Sequence, residues 1–480
     1  MAGLLAIATT FGAALIGPAI AQEVNGPPEE NPQPQVRPPT NVKPNGVDQP
    51  GALFDLTPLG AQLGSTLKNR GIYLNGSYTA NLGSVVDGGR KEGTYEANQT
   101  TFGADFDLHR MYGLDGTSVH FLAVSREGVK DNRTFSGSST EGFDINGPVT
   151  ATRLTELTID KSLFNDHLLL LAGRSPGAVE YATSDLYCNF LSGLCGNLTP
   201  YAWSSNSNAG FWPLATWTGR ATIKPTASTY IRFGASEANP DEYLSHSSWP
   251  WNGGWDTSHA TGVVIPLEIG YRTSFANDPY PRAFDVGAFY DTSTYSDPFY
   301  NTAGQSATRF GGTPLTHAGR ASVYVQAQQM VWRPDLESHR GVTLFGAALF
   351  GVHGVEQIED YFLAGLVDVG PFASRPNDTI NFLSYTNVFD KRVTDDYAAS
   401  LASTGQIGSP SRTETVFELN YGLLFAPGFQ LKPFVQYIIH PDQIGFGPVV
   451  ASDRHAVIVG AAFSIAFNDA FGLPAFVRSR

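Results

Sequence analysis

From Gly71 to Phe467 the chain is written largely in twos: apolar and polar residues alternate one by one along short segments. Successive side chains of a strand point to opposite faces, so each segment reads as a strand with one apolar and one wet face. In the first, Ile72, Leu74, Gly76, Tyr78 and Ala80 face one side, and Tyr73, Asn75, Ser77 and Thr79 the other. Next, Phe102, Ala104, Phe106 and Leu108 oppose Asp105 and Asp107. The cleanest case begins near Leu214. There Thr216, Thr218, Arg220, Thr222 and Lys224 share a face, with Ala215, Trp217, Gly219, Ala221 and Ile223 behind them. Further strands read near 117–125, 152–161, 167–174, 228–237, 260–272, 282–292, 318–332, 341–353, 361–369, 382–390, 412–425, 429–439 and 455–467. The total is about sixteen, an even number such as a single-chain outer-membrane barrel requires.

The links between strands are sorted by length. Long ones follow the odd strands: Leu82–Asn98, Arg126–Thr150, Ser175–Pro213, Ala238–His259 and Ser293–His317. Short ones follow even strands: Arg110–Gly116, Leu163–Asp166, Pro225–Ala227 and Ala426–Gly428. That sorting fits external loops on one rim and periplasmic turns on the other. A soluble sandwich has no reason to sort its loops, and a propeller or solenoid would show a repeated motif that is missing here. Open strand edges cannot stand unpaired in a bilayer, so the sheet must close. The expectation is an all-β, transmembrane antiparallel β-barrel around water, over residues 71–467.

The bulk numbers agree. No stretch after the N-terminus has the roughly 18 uninterrupted apolar residues of a membrane helix. The 51 Gly, 20 Tyr and 31 Phe suit strands and turns. A net charge of −14 argues against a nucleic-acid binder, which needs a basic surface.

The ends read differently. Leu4–Gly17 is apolar and Ala19-Ile20-Ala21 follows, the pattern of a secretory leader over 1–21 cut before Gln22. No Lys or Arg precedes Arg37, so a start upstream of Met1 would have to supply the charged first region. Residues 22–50 are rich in Pro, Asn, Gln and Glu and lack the apolar side chains that offset ordering; they read as a disordered periplasmic arm. Within 51–70, Thr57-Pro58 offers an N-cap and first-turn proline, and Leu59, Leu63 and Leu67 recur at helical spacing up to Gly71. The last strand is apolar and ends at Phe467, leaving a tail, 468–480.

Side-chain parity nominates the residues that face water. Glu156, Thr158 and Asp160 share one strand face, Arg220 and Lys224 another, Tyr230 and Arg232 the next. Arg320, Ser322, Tyr324, Gln326 and Gln328 form a polar run, and Glu414, Glu418 and Asn420 come later. A lining with both signs of charge, amides and tyrosines suits a neutral polyol, whereas an ion channel favours rings of one sign. The simpler alternative is that these charges only hydrate a wide channel. Trp217 reads as an interface-belt aromatic. Trp203 and Trp212, in the third long loop, could border the entrance, and Trp249, Trp251 and Trp255 in the fourth could collect sugar or simply pack the loop.

Cys188 and Cys195 read as a small disulfide loop in an exported chain. No further Cys or nearby His completes a metal site with them. His440 and His455 flank the final loop with Asp442 and Asp453, where solvated histidines are the simpler reading. No Gly-x-Ser-x-Gly or His-Glu-x-x-His motif is present, and neither catalysis nor a metal or cofactor is predicted.

With those residues in hand, the chain resembles the OprB family of carbohydrate-selective outer-membrane porins, over roughly Leu59 to Phe467. The resemblance is densest in Ala172-Gly173-Arg174, Glu180-Tyr181, Cys188-Asn189-Phe190, Cys195-Gly196, Pro213-Leu214-Ala215-Thr216-Trp217, Arg232-Phe233-Gly234 and Asn239-Pro240. Leu67-Lys68-Asn69-Arg70-Gly71-Ile72 echoes the family's helix-to-strand opening, and Leu431 to Pro441 its penultimate strand. The resemblance implies sixteen strands, inward-folded loops and passive uptake of monosaccharides through an eyelet of charged and aromatic side chains. It carries that role to Arg174 and Glu180, while Arg220 and Arg232 enter by parity alone. Replacing those last two by Ala is expected to alter solute preference more than folding. Expected partners are small sugars, outer-membrane lipid, a homotrimer and peptidoglycan through the Pro-rich arm. The alternatives are a porin for sugar acids or other small anions, and a secreted β-rich glycoside hydrolase or lectin.

Overall fold

Sixteen antiparallel strands form one closed barrel in strict sequence order, the first pairing with the last. In the computed structural model they are β1 (Ile72–Gly88), β2 (Gly93–Asp107), β3 (Thr117–Glu127), β4 (Ala151–Leu163), β5 (Leu168–Ser175), β6 (Thr216–Thr226), β7 (Thr229–Ala238) and β8 (Gly262–Arg272). They continue as β9 (Arg282–Asn301), β10 (Pro314–Trp332), β11 (Gly341–His353), β12 (Ile358–Val369), β13 (Thr379–Phe389), β14 (Thr413–Ala426), β15 (Phe429–Ile439) and β16 (His455–Ala466). The structure describes residues 54–128, 133–138, 145, 151–195, 206–240, 255, 257–406, 410–442 and 454–477. The expected leader, the Pro-rich arm, Trp203, Trp249 and Trp251 lie outside them.

Closure runs from Ser77 opposite Ala466 to Gly88 opposite Ala456. The alternation read from sequence sets which face is which. Leu82, Phe102, Ile159, Trp217, Phe233, Ile269, Val286 and Val459 stand exposed on the outer wall, where lipid would cover them. Their neighbours Asn81, Thr101, Thr158, Thr218, Arg232, Glu268 and Asp285 are buried inside.

Two of the expected long loops are largely strand. β1 and β2 stay paired out to Val85 and Gly93, so the hairpin tip is residues 89–92 rather than Leu82–Asn98. β9 runs 20 residues, well past Ser293. A strand rises about 3.3 Å per residue, and crossing a bilayer takes about 9–11 residues, so both hairpins project far beyond the membrane. Polar alternation on a hairpin bathed in water has the composition of a loop.

α1 (Pro58–Asn69) precedes the barrel as expected. Thr57 does not cap it: the Thr57 hydroxyl and amide both donate to Asp55 Oδ1, at 2.6 and 2.8 Å. Nor does the leucine face dock. Leu59 and Leu63 are exposed, and the buried positions are Gly60 and Gly64. An unexpected helix, α2 (Lys391–Ser403), lies in the β13–β14 connection, its first turn capped by Asp390 accepting from Arg392 N at 2.7 Å. It packs on the outer end of β9 through Arg392 and Asp297, 3.2 Å apart. β16 stops at Ala466, and Phe467 opens the short α3 (Phe467–Phe471) instead of ending the strand.

Candidate functional site

The site is built by the connection from β5 to β6. It turns inward and follows the inner wall from β6 to β15, so the barrel is narrowed from one side. Its contacts are ordered along the wall. Glu180 pairs through its carboxylate with Arg220 on β6, and its carbonyl accepts from Arg232 on β7. Ala182 N donates to Glu268 Oε2 of β8 at 2.9 Å. Thr183 O accepts from Gln326 of β10 at 3.0 Å, and the Tyr187 hydroxyl donates to Gln326 Oε1 at 3.1 Å. Tyr187 and Phe190 pack their rings on Phe345 of β11, both with centroids 5.7 Å away. At the tip, Leu191 N, Ser192 N and the Ser192 hydroxyl all donate to Glu418 of β14, at 2.9, 2.8 and 2.7 Å. Asn420 reaches Asn189 O at 3.1 Å and Lys432 of β15 reaches Cys188 O at 3.4 Å.

The tip is closed by the Cys188–Cys195 disulfide, as the spacing predicted. A ring this small removes about 2–3 kcal/mol of denatured-chain entropy by loop-closure arithmetic. Replacing both cysteines by serine is therefore expected to loosen the tip without opening the barrel. Noisier single-channel current with unchanged heat-modifiable gel migration would show it; an unchanged current trace would reject it.

The return limb is anchored at the β11–β12 turn, on the same rim from which the loop enters. Asn206 donates to Glu356 Oε2 at 2.5 Å and accepts from Ile358 N at 3.0 Å. The Ser322 hydroxyl donates to the same carboxylate oxygen. Asn208 N donates to Asp291 at 3.0 Å, and Arg320 bridges Asp291 and Asn208 Oδ1, both at 3.3 Å. Trp212 Nε1 donates to Gln99 of β2 at 3.2 Å.

Glu356 sits in the turn between β11 and β12. Burial pushes its carboxyl up to about 8, only partly offset by Ser322, Asn206 and the Arg320 charge. Between the ordinary carboxylate value and about 8 the folded form therefore holds the extra proton. Stability from this group is greatest at low pH and falls as pH rises through that window. We expect the return limb to loosen between pH 7 and 9 in the wild type and not in E356Q, read as pH-dependent conductance. Parallel pH profiles in the two proteins would reject it.

The nominated residues divide into three groups. Glu156, Asp160, Lys224, Arg220 and Glu180 face the remaining passage, with side-chain exposures of 17% for Asp160, 10% for Arg220 and 21% for Glu180. Glu156 accepts from Thr158 at 3.0 Å, and the His167 ring donates to Lys224 O at 2.6 Å. Tyr230, Arg232, Arg320, Tyr324 and Gln326 face inward but lie under the loop or its return limb, Tyr324 at 1% exposure. The Tyr324 hydroxyl donates to Glu268 Oε2 at 2.8 Å, and the Tyr230 hydroxyl lies 2.8 Å from Glu268 and 2.7 Å from Asp285. Their expected contact with solute is thereby corrected: they bind the loop to the wall.

Arg174 is the third case. It stands opposite Leu157 on β4 and Trp217 on β6, and both of those neighbours belong to the outer-facing set. Its guanidinium lies 5.7 Å from the Trp217 ring and 5.5 Å from Trp255, and donates to Ala215 O. The role taken from the resemblance is corrected by register: Arg174 closes the wall from outside. Ala215, expected toward lipid, is buried by the same contact.

The central anchors Glu268 and Asp285 were missed, although parity would have found them. Glu268 sits between Leu267 and Ile269, and Asp285 between Phe284 and Val286, on strands otherwise apolar outward.

Comparison with known proteins places this geometry. The model of a family described as carbohydrate-selective porin, OprB family, matches residues 91–467. QuiX of Acinetobacter baylyi, a porin by name, is 26% identical over 397 residues, covering 78% of this chain and 86% of its own. Porin B of Pseudomonas aeruginosa is 24% identical over 388 residues, 76% of this chain and 82% of its own. Among solved structures, the high-pH form of Pseudomonas putida OprB superposes with a TM-score of 0.74 at 21% identity, covering 84% of this chain and 96% of that one.

Proposed function

The chain belongs to the OprB family of carbohydrate-selective porins of the bacterial outer membrane, and from that premise we propose that its waist selects neutral monosaccharides for passive diffusion. The observation that carries the reading is the Glu180–Arg220 pair at the edge of the inserted loop. A carboxylate and a guanidinium held together offer acceptors and donors to hydroxyl groups while presenting little net charge. An anion-selective waist needs a surplus of one sign. Arg174 lies outside the wall, Arg232 is 3.5 Å from Glu268, and Arg220 is paired, which weighs against a porin for sugar acids.

Family and fold describe a channel, and selective passage needs no covalent step. We further propose a homotrimer, as large porins commonly form, and a peptidoglycan contact through the Pro-rich arm; cross-linking in outer membranes and binding of cell-wall sacculi test these. The test of the main reading is reconstitution into liposomes. Neutral hexoses are expected to swell them faster than sugar acids of equal size. Faster entry of the acids would replace this reading with the anion one.

A further inference from the structure

Thirteen residues follow Phe467, and those described do not hang free in the periplasm. α3 turns the chain, Asn468 Nδ2 donates to Leu74 O at 2.8 Å, and Leu473 N donates to Asn468 O at 2.8 Å. The tail then runs into the barrel mouth. The Phe476 ring packs edge-on against Tyr73, centroids 5.1 Å apart, and lies 5.5 Å from His120. Tyr73 and His120 both flank Asp105 in register on the inner wall, beside the short turns that mark the periplasmic rim. Both are buried. Beneath the ring lies a polar network: His120 Nδ1 is 2.7 Å from Asp105, Asn75 donates to Asp105 at 2.8 Å, and Ser118 lies 2.9 Å from His120 Nε2.

α1 holds the tail in place. A Cβ at Gly60 would lie 2.3 Å from Phe471 O, and one at Gly64 would lie 2.5 Å from Pro474 Cδ. Two glycines one turn apart therefore let the helix lie directly on the tail. This explains why the glycines of α1 are buried and its leucines are not.

We propose that Phe476, presented by the tail and clamped by α1, is a second size-selecting element at the periplasmic outlet, in series with the waist. The inference rests on the porin reading. A sugar leaving the waist meets an aromatic ring beside Tyr73 and the Asp105–His120 network, and it must pass between that ring and the facing wall. Because the tail is held by an aromatic contact and one helix, its removal leaves the sixteen strands and their closure intact.

The experiment is single-channel recording and liposome swelling on three variants of the full chain: a stop after Gly472, F476A, and G64L, which pushes the tail aside. All three are expected to raise ionic conductance, the truncation on the order of twofold, because pore diameter at a constriction sets flow. Uptake should extend to larger oligosaccharides, with unchanged preference between neutral and acidic monosaccharides. If the truncation disturbs assembly, shown by lost heat-modifiable migration, F476A and G64L decide alone. Folded variants with wild-type conductance and size limit overturn the outlet. A wild type that conducts ions but shows no sugar passage would instead overturn the porin reading.

Discussion

Replacing Glu418 by alanine is expected to release the tip of the inserted loop and turn a selective waist into a wide one. Five donors converge on this one carboxylate: Leu191 N, Ser192 N, the Ser192 hydroxyl, Asn420 Nδ2 and Gln436 Nε2, the last two at 2.7 and 3.1 Å. The site is buried, so the donors lose their acceptor without gaining bulk water. A buried polar group left unsatisfied costs about 1–3 kcal/mol. Even at the low end, five such groups amount to about 5 kcal/mol, against a loop tip held otherwise by Phe190, Tyr187, Lys432 and the Asn420–Asn189 hydrogen bond. The barrel ladder does not pass through Glu418's side chain, so the loss falls on the loop. The expected readout is a large rise in conductance, loss of discrimination among hexoses, and normal heat-modifiable migration. E418Q keeps one acceptor oxygen and should lie between. A folded E418A protein with wild-type conductance would show that the remaining contacts hold the loop without this carboxylate.

That prediction draws on a residue the alternation pointed to, and the same rule accounts for most of the barrel. Parity is legible because a bilayer and a water column impose opposite demands on adjacent side chains. Trp217 outside and Arg220 inside follow from their places on β6, an odd number of residues apart and so on opposite faces. Parity does not say whether an inward side chain meets solute or another part of the protein. Tyr230, Tyr324 and Gln326 have the composition of a sugar lining, yet the loop covers them, through contacts between residues far apart in the chain such as that of Gln326 with Thr183 O, 143 residues away. Arg174 fails for a different reason. It lies at a strand end, where a charged side chain can be buried between two indole rings and a carbonyl without facing water. The hairpin extensions of β1, β2 and β9 were hidden because strands outside the membrane need no apolar face. The tail gave its own signal, a last strand ending thirteen residues early, but nothing in those residues says which way they turn.

Arg220 and Arg232, alike in sequence, are expected to part company on mutation. Arg232 is fully enclosed: it donates to Glu180 O, lies 3.5 Å from Glu268 and has its guanidinium 5.0 Å from the Tyr230 ring. Removing it leaves Glu268, itself 2% exposed, beside Asp285 with less compensation. Breaking a buried ion pair from one side costs about 3–5 kcal/mol. R232A should therefore lower the denaturant midpoint of the refolded barrel and free the first limb of the loop, because Ala182 N hangs on the same Glu268 carboxylate. The expectation that this change would spare folding does not survive that burial. Arg220 has one charged partner, Glu180, at the edge of the passage. The pair borders the passage, at 10% and 21% side-chain exposure, so water there can take up the hydrogen bonds that its loss leaves open. R220A should leave the midpoint nearly unchanged, unmask the Glu180 carboxylate, and shift permeation away from sugar acids and toward cations. Equal loss of stability in both variants would mean that Arg220 is an anchor as well, and the waist would have to be sought elsewhere along the loop.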